Sequence, residues 1–318
     1  MQPVIAEIVR SGIVEGHHYG AAVALDADGS VLFAHGDVSS PVLPRSCNKP
    51  LQALAMVRHG LDLTGDLLAL ACASHSGEPF HVDGVRRILD AAGLDQDALR
   101  NPPGWPLEDR VRDDVVRAGG TATRLHMNCS GKHAAMLLTC VRNGWPTDDY
   151  LDPAHPLQVA TAADFAAQTG EPVARVAIDG CGAPLLPTSL TGLARAFGRL
   201  AAGADDAAGR VGDAIRLHPA YVSGTQRDER ALIEAIPGAI AKAGAESCYA
   251  VALPDGRAFA LKTDDGAARA RPVVMAALLA RFGVDTEPGV DTAALRRTGA
   301  APLTGGDVVV GEIRAVLG

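Results

Sequence analysis

The stretch Ala21-Ala22-Val23-Ala24-Leu25-Asp26-Ala27-Asp28-Gly29-Ser30-Val31-Leu32-Phe33-Ala34 reads as a hairpin, two apolar runs joined by a turn of Asp and Gly. Its counterpart stands near the far end of the chain. There Tyr249-Ala250-Val251-Ala252-Leu253 and Ala258-Phe259-Ala260-Leu261-Lys262 flank Pro254-Asp255-Gly256. Val4-Ile5-Ala6-Glu7-Ile8-Val9 precedes the first hairpin as another strand, and Val308-Val309-Val310 reads as the last one. Between these ends the apolar spacing is helical. It predicts helices over Lys49–His59, His81–Ala92, Ser130–Asn143 (stopped by Gly144), Pro156–Thr169, Ser189–Ala201, Ala207–Leu217 and Asp228–Ala243. An Ala-rich helix then ends near Phe282-Gly283, and Asn101–Pro106 reads as a surface loop. Strands at both termini around a helical middle predict one antiparallel sheet assembled from the two chain ends, with helices on its faces. This is a layered α/β (α+β) fold, expected as a single domain over residues 1–318.

Bulk composition narrows the function. The 318 residues are 47% hydrophobic and 21% charged, enough to bury a large core. A net charge of -8 argues against nucleic acid or an anionic membrane surface as the main partner. Residues 1–20 lack the pattern of a secretory leader, no apolar run reaches the length of a membrane span, and a cytoplasmic location is the expectation. Cys47, Cys72, Cys129, Cys140, Cys181 and Cys248 are too dispersed for a disulfide framework and are expected as free thiols, with Cys72 and Cys140 as core residues.

Five clusters carry chemistry. Arg45-Ser46-Cys47-Asn48-Lys49-Pro50 sets a serine and a lysine three apart where a helix begins, so hydroxyl and amine share a face. A neutral amine there can activate the serine; the bland alternative is a capping serine followed by a solvated lysine. Cys72-Ala73-Ser74-His75-Ser76-Gly77-Glu78 packs hydroxyls and an imidazole into a turn, either for proton transfer or to satisfy backbone donors. Asn128-Cys129-Ser130-Gly131-Lys132-His133 opens a helix with Cys129, Lys132 and His133 on one face, where a thiol is expected to acidify and serve as nucleophile or metal ligand. Ile178-Asp179-Gly180-Cys181-Gly182-Ala183-Pro184 is a tight turn with a carboxylate two residues before a thiol; with Cys129 it offers a soft pair suited to zinc. Leu261-Lys262-Thr263-Asp264-Asp265-Gly266 puts Lys262 on a strand among small apolar residues, as a base or as an edge lysine in water.

Taken together, SCNKPLQAL, CASHSGE, NCSGKHAAML, IDGCGAP and LKTDDG occur in the order and rough spacing of the asparaginase II family, the Rhizobium-type L-asparaginases, which the chain resembles over most of its length. The resemblance implies a fold like the serine β-lactamases and glutaminases, a homodimer, and hydrolysis of L-asparagine to aspartate and ammonia. It implies two serine–lysine pairs, Ser46 with Lys49 and Ser74 with Lys262. It also implies a zinc site held by Cys129, Lys132 and Cys181, and site roles for Arg45, His133 and Asp179. In the reading that follows, Ser46 attacks the side-chain amide, Arg45 holds the substrate α-carboxylate and Asp179 its α-ammonium group. Three rivals stay open: a zinc-hydroxide amidohydrolase, an amidohydrolase with Cys129 as nucleophile, and a non-catalytic amino-acid binding protein on the same scaffold.

Overall fold

The computed structural model describes residues Met1–Gly318 and divides into two compact units. The first comprises Met1–Cys47, Thr188–Ala202 and Ala231–Gly318; the second comprises Asn48–Pro187 and Gly203–Arg230.

The first unit holds the expected sheet. Its strands run in the spatial order Ile240–Ala243, Cys248–Ala252, Ala258–Thr263, Ile13–Leu25, Val4–Arg10, Val308–Ala315, Pro302–Gly305, and Val31–His35 pairs additionally with Ile13–Leu25. Every pairing is antiparallel. The long strand Ile13–Leu25 joins two halves of this sheet. Its exposed first part pairs with Val4–Arg10, and its buried second part, Gly20–Leu25, pairs with Ala258–Thr263. Helices Leu190–Ala201 and Arg271–Arg281 pack on the sheet, which explains why Ala258–Leu261 and Cys248–Ala252 are buried without alternation. Gly20 is required here. A Cβ at this position would lie 2.9 Å from Thr263 Cα and against the Lys262 carbonyl, so only glycine lets the two strands approach at Lys262.

The second unit is helical. Helix Lys49–Arg58 is buried from Lys49 through Val57, polar residues included, and packs against Ser130–Asn143, Pro156–Thr169 and Asp206–Leu217. Helix ends follow local chemistry. Ser130–Asn143 stops at Gly144 and Pro156–Thr169 at Gly170, both in the left-handed region that glycine adopts freely. Asp206–Leu217 starts under an Asp205 cap whose carboxylate accepts from the Ala208 N–H.

Sequence and structure part at particular points. The helix expected over Asp228–Ala243 ends at Ala235; Pro237 and the positive φ of Gly238 turn the chain, and Ile240–Ala243 becomes a fully buried strand. Helices Gly65–Ala71, Asp109–Arg117 and Thr292–Thr298 and strand Pro302–Gly305 were not foreseen, and the last strand runs on to Ala315. All six cysteines are free and buried, as expected for dispersed thiols. No helix is long and apolar enough to cross a membrane.

Candidate active site

Arg45–Asn48 is a turn of 3-10 helix that leads straight into helix Lys49–Arg58, and the chain passes from the first unit to the second inside it. Arg45 takes φ +53°, a left-handed conformation that costs energy in a side-chain-bearing residue. Ser46 follows, half-buried. In the same unit Lys262 is partly buried on its strand, and its Nζ donates to the carbonyls of Glu246 at 3.0 Å and Thr263 at 2.9 Å. If the amine is neutral, its two N–H groups are spent on these carbonyls, and the lone pair has one remaining direction. Arg45 Nη1 lies 3.8 Å from Glu246 Oε1.

In the second unit Lys49 is 1% exposed. Its Nζ sits 2.5 Å from the Ala73 carbonyl and 3.0 Å from Ser74 Oγ. The turn that presents Ser74 is tied down along its length. Ser74 N–H donates to Val222 O (3.0 Å), Ser76 Oγ to Ser223 O (2.9 Å), and the Glu78 carboxylate accepts from Thr225 N–H and Oγ1–H at 2.8 and 2.9 Å. His75, the imidazole of this turn, has both nitrogens engaged: Nδ1 accepts from the Gly77 N–H, and Nε2 lies 2.8 Å from Ser130 Oγ. Burial pushes it well below the usual histidine range, with the neighbouring His81 acting in the same direction. His75 is therefore a neutral brace for the Ser74 turn.

Beside this pair stands the thiol cluster. Helix Ser130–Asn143 supplies Lys132 and His133, with Cys129 at its N-cap, and Cys181 comes from the turn between the short strands Ala177–Ile178 and Pro184–Leu185. Gly182, at φ +86°, lets that turn close. Lys132 Nζ donates to Cys181 Sγ at 3.2 Å, and Cys129 Sγ lies 3.0 Å from Asn128 Oδ1. The two thiols differ. A hydrogen bond with Cys181, together with burial, holds Cys129 well above the ordinary thiol range. The same bond, with the Lys132 charge, pulls Cys181 far below it. The helix start favours Cys129 as the acidic thiol; the surroundings act the other way, with Cys181 the sulfur drawn toward the thiolate by its bond with Cys129 and by the Lys132 charge. Burial opposes charge on Lys132, but the charges of Cys181, Cys129 and Asp179 push it up to about 12. Asp179 is half-exposed at the mouth of its turn, with Oδ2 3.9 Å from Cys181 Sγ.

His133 is wholly buried, and burial lowers it below the usual range, so it is neutral. Tyr150 Oη accepts the Arg100 N–H at 3.0 Å and lies 2.7 Å from His133 Nδ1. Nδ1 is the acceptor within reach of the phenol proton, an arrangement that leaves the histidine proton on Nε2. Nε2 makes no well-formed hydrogen bond, yet it lies close enough to Cys181 to help hold that sulfur charged. Tyr150 and Glu246 were missed by sequence reasoning. Neither sits at a motif spacing, and Tyr150, in Asp149-Tyr150-Leu151, carries only the weak signal of an aromatic next to an acid.

Could the cluster hold a metal? No three His, Cys, Asp or Glu side chains converge as a cage. Two sulfurs and the Lys132 amine do converge, a donor set of the right softness for zinc with an amine as third ligand. In the arrangement described here a proton on Lys132 supplies the positive charge that a metal would bring.

No curated protein matches the chain in sequence. Among solved structures, a β-lactamase from Mycobacterium bovis (Mb2281c) is similar at 14% identity, with 88% of this chain and 96% of that one covered and a TM-score of 0.47. The native form of Mglu is similar at 15% identity, 89% and 69% coverage and a TM-score of 0.39; its tris and glutamate form gives 13%, 89%, 64% and 0.36. The family model described as L-asparaginase II matches residues 6–315, and the chain belongs to that family.

Proposed function

We propose that this amidohydrolase cleaves the side-chain amide of L-asparagine to L-aspartate and ammonia through a seryl acyl-enzyme. The observation that carries the reading is the buried contact of Lys49 Nζ with Ser74 Oγ at 3.0 Å, which joins one member of each of the two implied serine–lysine pairs in a member of this family. Ser46 Oγ attacks the amide carbon while Lys49, acting as a neutral amine, takes the hydroxyl proton. As the C–N bond breaks, Ser74 passes that proton to the departing ammonia. Water then adds to the ester, gives its proton back along the same route, and releases the carboxylate. Lys262, whose Nζ is held by two carbonyls, is the amine assigned to the second serine, Ser74. Arg45 binds the α-carboxylate and Asp179 the α-ammonium group, each chosen by charge. Backbone N–H groups near Ser46 receive the developing oxyanion.

Zinc, held by Cys129, Lys132 and Cys181, would supply a fixed positive charge that orients the site. Binding it requires Lys132 and Cys129 to give up protons, so affinity rises with pH. His133 keeps its Nε2 proton on the sulfur side and stays outside the ligand set. Assembly as a homodimer belongs to the same reading and is checked by sedimentation.

A coupled ammonia assay with asparagine and glutamine, with and without zinc, tests the proposal. Ser46→Ala is expected to lose activity about a thousandfold or more. A Ser46→Ala enzyme that keeps more than about a tenth of wild-type activity would be incompatible with a seryl intermediate, since losing a nucleophile ordinarily costs far more than that. Loss on chelation alone would then favour a zinc-hydroxide mechanism.

A further inference from the structure

Four residues other than glycine adopt a positive φ: Ser11, Arg45, Glu246 and Ser247. Three of these four meet around one turn of the first unit. Glu246 and Ser247, at +56° and +54°, form the link between strands Ile240–Ala243 and Cys248–Ala252, which Gly244 N–H closes onto Cys248 O at 2.8 Å. Two consecutive left-handed residues with side chains are costly, and Ser247 Oγ is also buried without a hydrogen-bond partner. Such a turn persists only where its surroundings over-determine it.

Those surroundings are the residues that flank Ser46 on one side and Lys262 on the other. A Cβ at Gly244 would run into the Pro44 carbonyl and lie 3.2 Å from Ser46 N, so the glycine lets the Ser46 backbone rest directly on the turn. The Glu246 carboxylate faces the Arg45 guanidinium at 3.8 Å. The Glu246 carbonyl receives the Lys262 ammonium or amine at 3.0 Å, and Thr263 N–H points at Ser247 O at 3.4 Å. Gly266 leaves room for the Glu246 side chain, against which any Cβ would collide.

We propose that the turn Gly244–Ser247 sets the Ser46 backbone and the Lys262 amine in register with one another, with Glu246 as its positioning residue. This deepens the serine–lysine reading and rests on it. Glu246 acts through two arms. Its backbone, held in the left-handed region, aims Lys262. Its carboxylate steadies Arg45, the group assigned to the substrate carboxylate. The two arms separate kinetically because one bears on the chemical step and the other on binding.

The test is a series at this one exposed side chain, with kcat and KM for asparagine measured on variants whose melting temperature and circular dichroism match the wild type. Glu246→Gln keeps the backbone and loses the charge; it raises KM about threefold and leaves kcat within about twofold. Glu246→Gly tolerates positive φ and behaves like the glutamine variant. Glu246→Val opposes positive φ and lowers kcat about tenfold or more on top of the KM effect, because a misplacement on the ångström scale is enough. Glu246→Ala opposes it less strongly and gives the same ordering where the valine variant does not fold. A folded valine or alanine variant with kcat within about twofold of the glycine variant overturns the proposal. Ser46→Ala runs alongside. If it is dead while the valine variant is fully active, only the turn's role falls. If Ser46→Ala is itself active, the serine reading falls first.

Discussion

Lys49 and Lys132 are buried to the same degree, 1% exposed each, and both project from the start of a buried helix in the same unit. Their partners separate them. Lys49 bonds to oxygens without formal charge, Ala73 O and Ser74 Oγ, whereas Lys132 bonds to a thiolate with a carboxylate behind it. A buried amine opposite an anion is locked as a cation, which is why Lys132 is pushed up to about 12. Burial alone therefore does not make a lysine a base; the charge of the atom it faces decides. In this unit the two arrangements stand side by side: the proton-moving role proposed for Lys49, and a Lys132 that holds charge in place.

The comparison breaks most visibly at Lys49. Lys49→Met keeps the apolar stem and removes the amine, and kcat for asparagine is expected to fall about a thousandfold, within the range for a lost general base. Near-normal kcat in a folded Lys49→Met enzyme would dissolve the distinction. Lys132→Met inverts the consequence. It leaves the buried Cys181 thiolate without its cation, so the penalty appears in stability, about 3–5 kcal/mol in urea unfolding at pH 8. The pH dependence carries a sign. Because the folded-state value for Lys132 is raised from 10.5 to about 12, its contribution is complete below pH 10.5 and is lost as pH rises through about 12. The wild type should show that alkaline loss, and Lys132→Met should lack it. An unchanged unfolding free energy in the variant would mean that Cys181 is not the anion described here.

A third measurement sharpens the Lys49 side, where the brace is built of neutral histidines. His81 stacks on His75 with ring centres 5.1 Å apart, and burial lowers it to about 4. A histidine with a depressed folded-state value binds its proton more readily when unfolded. Its contribution is therefore present above pH 6.5 and disappears as pH falls toward 4. The size is about 3–4 kcal/mol, from roughly two and a half pH units at about 1.4 kcal/mol each. His81→Phe keeps the stacking and should flatten the loss of stability between pH 6.5 and 4. A slope equal to wild type would place the acid sensitivity elsewhere, with His75 and His133 the next groups to examine, both lowered by burial.

How much of this was legible in the residues varies with the range of the interactions. The two hairpins and the sheet built from both chain ends follow from local signals, Asp-Gly turns between apolar runs. Helices Ser130–Asn143 and Pro156–Thr169 have the boundaries expected, with Gly144, Pro156 and Gly170 marking three of their four limits. Ile240–Ala243 was misread as helix because an Ala- and Ile-rich run has no strand periodicity when both faces are buried. Helix Asp109–Arg117 was missed for the opposite reason: none of its residues is buried, so it has no apolar face to register. Among the site residues, Lys49, Ser74, Cys129, Lys132 and Cys181 lie in recognisable boxes. Which sulfur is the anion depends on a 3.2 Å contact between residues 49 positions apart, and no spacing rule encodes that. Glu246 and Tyr150 act through a backbone carbonyl and a phenol reached across loops, and are visible only in three dimensions.

The smallest expected effect tests how finely the charge-holding side is tuned. Tyr150 fixes which nitrogen of His133 bears the proton, and thereby turns an N–H toward the Cys181 side of the ring. Tyr150→Phe keeps the ring and its edge contact with His133, but leaves both His133 Nδ1 and the Arg100 N–H without the hydroxyl. The imidazole is then free to move its proton to Nδ1 and present a bare lone pair to a thiolate, which is unfavourable. Stability should drop by about 1–3 kcal/mol, the cost of leaving buried polar groups unpaired, and Cys181 should become harder to ionise. Following thiolate absorbance near 240 nm in wild type, Tyr150→Phe and Cys181→Ser isolates the second effect, because the serine variant removes the signal being followed. A Tyr150→Phe protein whose thiolate titrates as in the wild type would show that Lys132 alone holds the charge. The hydrogen bond between phenol and imidazole would then brace the loop without tuning the sulfur, and the contrast between the two lysines would rest on the lysines themselves.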